Sequence, residues 1–192
     1  MQVNITLAKT AGFCFGVNRA VNMLYDLVDK GEKICTLGPI IHNPQVINDL
    51  ASKGVGIVDD ISTVSTDVKV VIRTHGVEKS ALDFCKENSV NYIDATCPFV
   101  KKIHKIVADN STDSLPVLIA GDSKHPEVIG IRSYCNGECF IFNSAEELET
   151  ILKNNTFDIA NPFIVVSQTT FSIKEWKKCI KIIKLYYTNA II

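Results

Sequence analysis

The stretch Val70-Val71-Ile72-Arg73-Thr74-His75 places a short apolar run directly before three polar residues. A run this short and this rich in Val and Ile is typical of a strand buried in a parallel sheet. Comparable runs recur along the chain, and segments with helical periodicity lie between them. The predicted strands cover residues 33–37, 55–59, 68–72, 91–94, 117–120, 139–142 and 163–166. This alternation predicts an α/β fold with mainly parallel sheets.

Three helices are predicted from their periodicity and start signals. The first carries apolar residues from Val17 to Val28 at helical spacing. Pro98 suits the first turn of the second helix, because proline is favoured at that position. Ser172 and Glu175 have the spacing of a capping box and predict the start of the third.

The second part of the chain repeats the pattern of the first. Residues 38–47 parallel residues 121–129, and each copy has a histidine four residues after its first glycine. The stretch quoted above overlays residues 164–169, so that His75 pairs with Thr169. Loops that follow strands collect ligands in open α/β sheets. We therefore expect two tandem, pseudo-repeated small α/β lobes that face one site.

The repeat also sets the expected domain boundaries. The first lobe would span residues 1–97 and include an N-terminal strand. The second would span residues 98–192. The composition of residues 109–114 makes them the best linker in the chain.

A continuation past the last residue is expected on the same grounds. Cys97 follows His75 by 22 residues, and the same interval from Thr169 reaches the terminal apolar run 190–192. We therefore expect a strand that is cut short and a longer parent protein. The next loop of that protein, with another cysteine, would lie beyond residue 192.

Composition and charge exclude several classes of protein. The 20 Lys and Arg residues against 21 Asp and Glu leave a net charge of −1, which argues against a nucleic-acid or anionic-membrane binder. With 46% hydrophobic and 21% charged residues, the chain has the composition of a compact globule. No apolar run approaches the ~20 residues of a membrane span, and the N-terminus lacks a secretory signal pattern. We therefore expect a cytoplasmic protein.

The seven cysteines include no CxxC pair, and their odd number argues against a complete disulfide framework. Cys14 lies between two glycines ahead of a helix, and Cys97 precedes a helix at Pro98, so helix dipoles would favour both thiolates. Matched cysteines of this kind suit an iron–sulfur cluster, although two thiolates do not complete one. Each could instead be a buried structural thiol.

The other cysteines receive no functional role from the sequence. Cys35 and Cys85 are expected in the core, in a strand and a helix, and Cys179 is expected in the last helix. Cys135 and Cys139 form the one close pair, but a zinc half-site would need two further ligands, so we interpret them as loop thiols.

Three histidines lie in loops after strands, beside Pro or Gly: His42, His75 and His125. One such histidine is commonly structural, but three from related loops favour a shared anionic or metal-bound ligand. Arg73 could add positive charge there or pair with a carboxylate elsewhere. His104 follows lysines on a predicted helix and is expected on a solvated face.

Two further residues are candidates for proton transfer. Glu127 lies two residues after His125 and could donate a proton if burial and phosphate charge raise its pKa. It could equally be an exposed carboxylate or a helix N-terminal charge. Thr169 could orient the proton path or cap the following helix.

Six motifs in this order resemble the IspH/LytB family of 4-hydroxy-3-methylbut-2-enyl diphosphate reductases. They run the length of the chain and are specific in combination. The motifs are GFCFGV at residues 12–17, LGPIIHNP at 37–44, RTHGV at 73–77, DATCPFV at 94–100, GDSKHPEV at 121–128 and SQTT at 167–170.

The resemblance implies a trefoil of three similar α/β lobes around a [4Fe–4S] cluster held by three cysteines, two of which match Cys14 and Cys97. It implies an oxidoreductase of the non-mevalonate pathway of isoprene biosynthesis. The reaction would remove the hydroxyl group of an allylic diphosphate to give isopentenyl and dimethylallyl diphosphates. An electron donor such as ferredoxin or flavodoxin would be the partner.

The resemblance also implies residue roles. The diphosphate would be bound by His42, His75 and His125, while Glu127 would supply protons and Thr169 would bind and orient the substrate hydroxyl.

The third lobe and third cysteine of the family have no counterpart in this sequence, since Cys179 lies in a predicted helix. We therefore expect the 192-residue chain to be inactive alone. A thiol hydrolase with Cys97 as nucleophile and a histidine as base, or a non-catalytic diphosphate-binding module, are the alternatives.

Overall fold

The computed structural model describes residues 3–154 and 162–186, and its strands form two separate sheets. The first sheet contains β1 (Ile34–Leu37), β2 (Gly56–Val58), β3 (Lys69–Ile72) and β4 (Tyr92–Asp94). Its spatial order is β2-β1-β3-β4, and each neighbouring pair is parallel. The carboxyl ends of these strands therefore share one edge.

The second sheet is smaller and also parallel. It contains β5 (Val117–Ala120), β6 (Cys139–Phe142) and β7 (Ile164–Ser167), in the order β6-β5-β7. Each predicted strand overlaps one of these seven, so the α/β prediction is confirmed. The apolar run 190–192, where a further strand is expected, lies outside the described residues.

Helices connect the strands, and the three predicted ones are confirmed. They are α1 (Phe15–Asp29), α4 (Pro98–Asn110) and α7 (Ile173–Tyr186). The sequence signals did not identify four others, which are α2 (Pro44–Ser52), α3 (Lys79–Glu87), α5 (Pro126–Ser133) and α6 (Ala145–Asn154). A short 3-10 helix, Ile61–Thr63, follows β2.

Both faces of the first sheet are covered. On one face α1 packs Leu24 into a cluster that includes Val71, and on the other face α3 packs Cys85 against Val70 and Ile72. Side chains alternate along a strand, which is why the consecutive residues of β3 serve different faces. All three of these β3 side chains are 0% exposed, and burying each contributes about 1.5–3 kcal/mol.

The second sheet is covered in the same way. Leu148 of α6 and Ile183 of α7 join the core on one face, while Val107 of α4 and Val128 of α5 join the core on the other. α4 therefore follows the last strand of the first sheet in sequence but packs on the second sheet. Its N-terminus lies where the two lobes meet.

Residues 109–114 contain the end of α4 and a compact turn after it instead of the expected linker. Ser111 is 2% exposed, and its Oγ accepts a hydrogen bond from the N–H of Asn136 at 2.9 Å. Thr112 and Leu115 form an antiparallel bridge. The polar residues here satisfy backbone groups of a tight turn, which is why their composition resembles that of a linker.

The N-terminal strand expected in the first lobe is not formed. Residues 3–14 contain no strand or helix, and Val3, Ile5 and Leu7 are 71%, 87% and 82% exposed. A strand requires a neighbouring sheet edge to satisfy its backbone groups, and within the described residues neither sheet pairs with this segment. Among the helices that the structure describes, none is long and apolar enough to span a bilayer.

Candidate functional site

The three candidate histidines meet where strands of both sheets end. His42 follows β1, His75 follows β3 and His125 follows β5. Ring centroids of His75 lie 4.9 Å from His42 and 5.3 Å from His125, and the outer pair is 6.4 Å apart. The loops that the sequence repeat matched therefore bring side chains from both lobes together, as expected for loops that follow parallel strands.

Local sequence fixes two of these loops by helix capping. Asn43, next to His42, caps α2 by accepting a hydrogen bond from the N–H of Val46 at 3.1 Å. His125 itself caps α5, because its Nδ1 accepts the N–H of Glu127 at 3.1 Å. Both helices have proline in their first turn, which suits those starts.

Burial and neighbouring charged groups both act on the pKa of His75. Burial lowers its pKa to about 4, with further lowering from the neighbouring His42, His125 and Arg73. Its Nδ1 is buried and has no hydrogen-bond partner. The ring is therefore neutral at pH 7, mainly because it is buried, and a negatively charged ligand beside it would favour the protonated form.

The cluster has the proximity of a metal site but the hydrogen bonding of an anion site. One ring nitrogen of each histidine lies within 4.8 Å of the others. Since Nδ1 of His125 accepts a backbone N–H, the neutral ring carries its proton on Nε2 and presents a donor. A metal would need a lone pair at that nitrogen. In this form His125 offers a hydrogen-bond donor to an acceptor atom.

The cysteine candidates border a cavity of about 500 Å³ that also reaches His75. Cys14 is the exposed N-cap residue of α1, and Cys97 is the half-buried N-cap residue of α4. The buried structural thiol considered for Cys14 is thus wrong. The cavity is further lined by Phe15, Gly16, Val17, Thr74, Phe99, Val100, Glu127, Thr169 and Thr170.

Two residues that sequence reasoning missed hold the cysteine loops together. A Cβ atom placed on Gly16 would lie 2.6 Å from Sγ of Cys97, so only glycine permits this approach of α1. Arg19 donates from Nη2 to the carbonyl oxygens of Ala95 at 3.0 Å and Thr96 at 2.8 Å. Gly16 lies in the GFCFGV motif, whereas Arg19 carries no local signal, because its partners are 76 and 77 residues away.

These cysteines fit an iron–sulfur cluster in their chemistry and placement. Two helix N-termini converge on one cavity, and each presents a thiol at its cap position. Helix N-termini favour the thiolate form that iron requires. Cys35 and Cys85 are buried as predicted, and Cys179 lies in α7 as predicted and is also buried. Burial raises the pKa of each of these thiols.

Glu127 and Thr169 face each other across the second lobe. Glu127 is 1% exposed, which excludes the exposed carboxylate considered from sequence. Its Oε1 accepts the N–H of Thr169 at 2.7 Å, and its Oε2 accepts the Thr169 hydroxyl at 2.8 Å. Thr169 therefore does not cap α7, whose first turn is bonded by Ser172. Gln168, another residue missed from sequence, steadies this loop by donating to Oγ1 of Thr170 at 2.7 Å.

Two sequence interpretations need correction or completion. His104 is 7% exposed and stacks on Tyr134 with centroids 4.4 Å apart, so its predicted solvated position is wrong. Burial lowers the pKa of His104 to about 4. The face of α4 that carries His104 was expected to be solvated, but it packs against Tyr134, the C-cap residue of α5 in the second lobe. Arg73 donates from Nε to the carbonyl of Gly76 at 3.1 Å and so braces the loop of His75.

The chain is similar to known proteins over nearly its whole length. A family model described as LytB protein matches residues 5–191. A 4-hydroxy-3-methylbut-2-enyl diphosphate reductase of Thermoanaerobacter sp. (strain X514) is 41% identical over 193 residues, which cover 98% of this chain and 65% of that protein. The reductase of Clostridioides difficile (strain 630) is 40% identical over 88% of this chain and 60% of its own length.

Solved structures agree in fold. The structure of an (E)-4-hydroxy-3-methyl-but-2-enyl diphosphate reductase superposes with a TM-score of 0.78 at 33% identity, covering 99% of this chain and 66% of that one. The corresponding Plasmodium falciparum protein gives a TM-score of 0.83 at 24% identity, a likeness of fold alone. The chain thus spans about 65% of the length of the first relative named above.

Proposed function

Because the chain belongs to the LytB family, we propose that it serves the reductive dehydroxylation of 4-hydroxy-3-methylbut-2-enyl diphosphate. The reaction consumes two electrons and two protons, releases the hydroxyl group as water, and yields isopentenyl and dimethylallyl diphosphates. The observation that carries the proposal is the convergence on one region of three histidines, two cysteines and the buried Glu127 with its partner Thr169.

The histidine cluster would bind the diphosphate group. Nε2–H of His125 is a fixed donor, because Nδ1 is occupied by the N–H of Glu127. His75 has an unpartnered Nδ1, and His42 is exposed beside it. Phosphate oxygens accept such hydrogen bonds, and their charge would favour protonated imidazoles. Binding would therefore be coupled to proton uptake by the cluster.

Cys14 and Cys97 would ligate an iron–sulfur cluster at the cavity. When bound, such a cluster supplies the electrons and a Lewis-acidic iron for breaking the allylic C–O bond. The resemblance implies a third cysteine, in the part of the relatives that this chain does not match. The apolar side chains of Phe15 and Phe99 line the same cavity and would exclude water from it.

Glu127 and Thr169 would deliver the proton that turns the leaving hydroxyl group into water. The Thr169 hydroxyl donates to Glu127 and keeps lone pairs for a second partner. When Glu127 is protonated this hydrogen bond would reverse, so that the carboxyl group donates to Oγ1 of Thr169; the Glu127 proton could then move to Oγ1 as the threonine proton moves to the leaving oxygen. Glu127 is buried and Thr169 is exposed, so the threonine is the member that can touch substrate.

The proposal also includes the electron donor and the cellular compartment. Each electron pair would come from a small redox protein such as a ferredoxin or flavodoxin, and the reducing cytoplasm would suit the free thiols. We further propose that the 192-residue chain by itself binds the diphosphate but does not turn it over, because two thiolates do not complete a cluster.

The thiol hydrolase receives no support from the geometry. A cysteine nucleophile requires a base within hydrogen-bond reach. In residues 3–154 and 162–186 no hydrogen bond joins a cysteine to a histidine. The diphosphate-binding module differs from the proposal only in lacking iron chemistry, so iron uptake distinguishes the two.

The test is a fusion of this chain to the part of the Thermoanaerobacter relative that it does not match. After anaerobic reconstitution with iron and sulfide, we expect about four irons per fusion, as for one [4Fe–4S] cluster. With a chemical reductant the fusion should convert the substrate to both products. The chain alone should bind inorganic pyrophosphate and take up less iron.

Matched variants give the controls. Cys14→Ser and Cys97→Ser should each abolish iron uptake by the fusion, whereas Cys85→Ser in the core should not. A fusion that binds iron and substrate but releases no product would contradict the proposed reaction. Turnover by the unfused chain would contradict the incomplete-cluster argument.

A further inference from the structure

The imidazole ring of His104, which the proposed function does not use, lies between the two lobes. It projects from α4 and is 7% exposed. A Cβ atom placed on Gly76 would lie 2.8 Å from Cε1 of this ring, and one placed on Gly130 would lie 3.3 Å from Nε2. Gly76 follows His75 in the first lobe, and Gly130 belongs to α5 in the second. Neighbouring atoms of one ring therefore lie against both lobes.

The same ring packs along one face of α5. It stacks on the ring of Tyr134, with an angle of 21° between the two planes. Gly130 and Tyr134 are four residues apart and therefore share a face of the helix. The His104 ring thus meets α5 at two points one turn apart, which fixes the position of α5 relative to α4.

On the side of the first lobe, the ring lies against a glycine that the loop requires. Gly76 has a φ of +76°, a backbone conformation that favours glycine. Its N–H donates to the carbonyl oxygen of Arg73 at 3.1 Å, which fixes the shape of the loop that carries His75. A side chain at Gly76 would also overlap the His104 ring. The backbone of this loop therefore approaches the ring directly.

A hydrogen bond holds the first lobe and α5 together next to this ring. The N–H of Lys79, the first residue of α3, donates to Oγ of Ser133 at 2.8 Å, and this hydroxyl donates to the carbonyl oxygen of Gly130 at 2.6 Å. The His104 ring beside Gly130 limits how closely the two lobes approach. Attraction and spacer together fix the distance between the lobes at this point.

The ring acts here through its shape. Among the residues that the structure describes, Nε2 of His104 is buried without a hydrogen-bond partner. A buried polar atom without a partner costs stability, so hydrogen bonding at Nε2 does not explain this position. What the side chain supplies is a flat group of fixed width between Gly76 and Gly130.

We propose that His104 is a positioning residue that sets the separation of His75 and His125, whose ring centroids lie 5.3 Å apart. His75 directly precedes Gly76, and His125 is the N-cap residue of the helix that contains Gly130. A change in the width of the spacer moves one histidine against the other, although His104 does not line the cavity described above. The use of this separation to bind a diphosphate rests on the function proposed above.

Three variants of the 192-residue chain test the spacer. His104→Ala removes the width of the ring, whereas His104→Gln keeps a planar group that reaches as far as Nε2. Leu148→Ala is the control for lost stability, because Leu148 is 0% exposed in the core on the opposite face of the second sheet. All three are measured below their thermal transitions, so that folded chains are compared.

The first measurement needs no ligand. Proton NMR of the free chain follows the Cε1–H signals of His75 and His125, assigned with His75→Asn and His125→Asn. Their chemical shifts depend on the distance and angle between the neighbouring rings. His104→Ala and His104→Gln both lack the aromatic ring, so a difference between these two variants reports movement. We expect them to differ at both signals, and Leu148→Ala to match wild type.

The second measurement is calorimetric binding of pyrophosphate to the same chains. His104→Ala should bind about tenfold more weakly, as expected when a hydrogen bond to a charged group is largely lost, while His104→Gln and Leu148→Ala should stay within about twofold of wild type.

The outcomes separate the spacer from the proposed ligand. Identical signals of His75 and His125 in His104→Ala and His104→Gln would overturn the spacer, whatever binds at the site. Different signals in a chain that binds no pyrophosphate would support the spacer and contradict the proposed function. Different signals with unchanged affinity in His104→Ala would overturn the use of this separation for binding.

Discussion

Thr169 makes two hydrogen bonds to Glu127, a residue 42 positions earlier in the chain, and occupies both carboxylate oxygens with its N–H and its hydroxyl. This pair joins the start of α5 to the loop after β7. Glu127 is 1% exposed, so the threonine lies between the carboxyl group and the cavity. A proton that leaves Glu127 for the cavity therefore has a defined first acceptor.

Glu127→Gln should strongly reduce product formation while leaving the fold and the anion site intact. The glutamine carbonyl can still accept a hydrogen bond, but the amide cannot act as a general acid. We expect product formation by the fusion described above to fall by about 10²–10⁴-fold. Pyrophosphate affinity, measured by calorimetry, should change less than twofold. A variant that retained more than a tenth of the wild-type rate would contradict the role of Glu127.

Thr169→Val and Thr169→Ser separate the hydroxyl from the backbone contact. Valine removes the donor to Oε2 and leaves a buried carboxylate oxygen unpaired, a loss of about 1–3 kcal/mol in stability. Serine keeps the hydroxyl. We expect Thr169→Val to lose activity and to lower the thermal midpoint, while Thr169→Ser stays near wild type in both measurements. Equal rates for the two variants would show that the hydroxyl carries no proton.

The strand pattern could be predicted because it depends on local sequence. Val70, Val71 and Ile72 are buried on both faces of the sheet, and strands of this kind have uninterrupted apolar sequences. The residues after those strands reached one edge because parallel topology requires it. By contrast, the repeat could not reveal Arg19, whose two carbonyl partners lie in another loop.

His104 shows why one helical face was misread. The lysines beside it predict a solvated surface, and for an isolated helix that prediction would be correct. The side chain lies instead against Tyr134 of the second lobe, a contact that depends on how α4 packs and not on its own sequence. Gly16 is similar, because its necessity follows from the position of Cys97 on another helix.

Gly16→Ala should destabilise the chain, against the usual effect of this substitution. Alanine in a helix is normally about 1 kcal/mol better than glycine. Here the added methyl would overlap Sγ of Cys97, with 2.6 Å between the atoms. We expect a lower thermal midpoint and impaired iron uptake by the fusion. Asn18→Ala, at an exposed position of the same helix, is the control and should show neither effect. A stabilised Gly16→Ala variant would contradict the close approach.

His104 should make folding sensitive to acid. Its pKa is lowered to about 4 in the folded chain, mainly by burial, whereas an unfolded histidine titrates near its ordinary value of 6.5. Between these values the unfolded state binds more protons, so the free energy of unfolding falls as the pH falls from 6.5 to 4. Urea denaturation across that range should give a shallower dependence for His104→Gln than for wild type. Parallel curves would contradict the burial of a neutral imidazole.

The pKa of His75 should change when an anionic ligand binds. Its pKa of about 4 reflects burial and the neighbouring positive groups. Bound pyrophosphate would stabilise the protonated ring, so the pKa should rise on binding. Proton NMR of the imidazole Cε1–H, assigned with His75→Asn, should follow this titration with and without pyrophosphate. A pKa that stayed near 4 in the complex would place the anion away from this ring.

His125→Asn distinguishes an anion site from a metal site. Asparagine is a favoured N-cap residue, so its side chain can replace Nδ1 as the acceptor for the N–H of Glu127 and preserve the start of α5. It cannot replace the Nε2–H donor. We expect stability close to wild type and a loss of about 10–100-fold in pyrophosphate affinity, since a hydrogen bond to a charged group contributes about 1.5–3 kcal/mol. His125→Ala should lose the same affinity and also the cap. Zn²⁺ added without pyrophosphate should bind wild type and His125→Asn equally, because a metal at Nε2 of His125 would require a lone pair at that nitrogen, where the capping bond at Nδ1 keeps the proton of the neutral ring. Zinc binding that disappeared in His125→Asn would instead make the cluster a metal site.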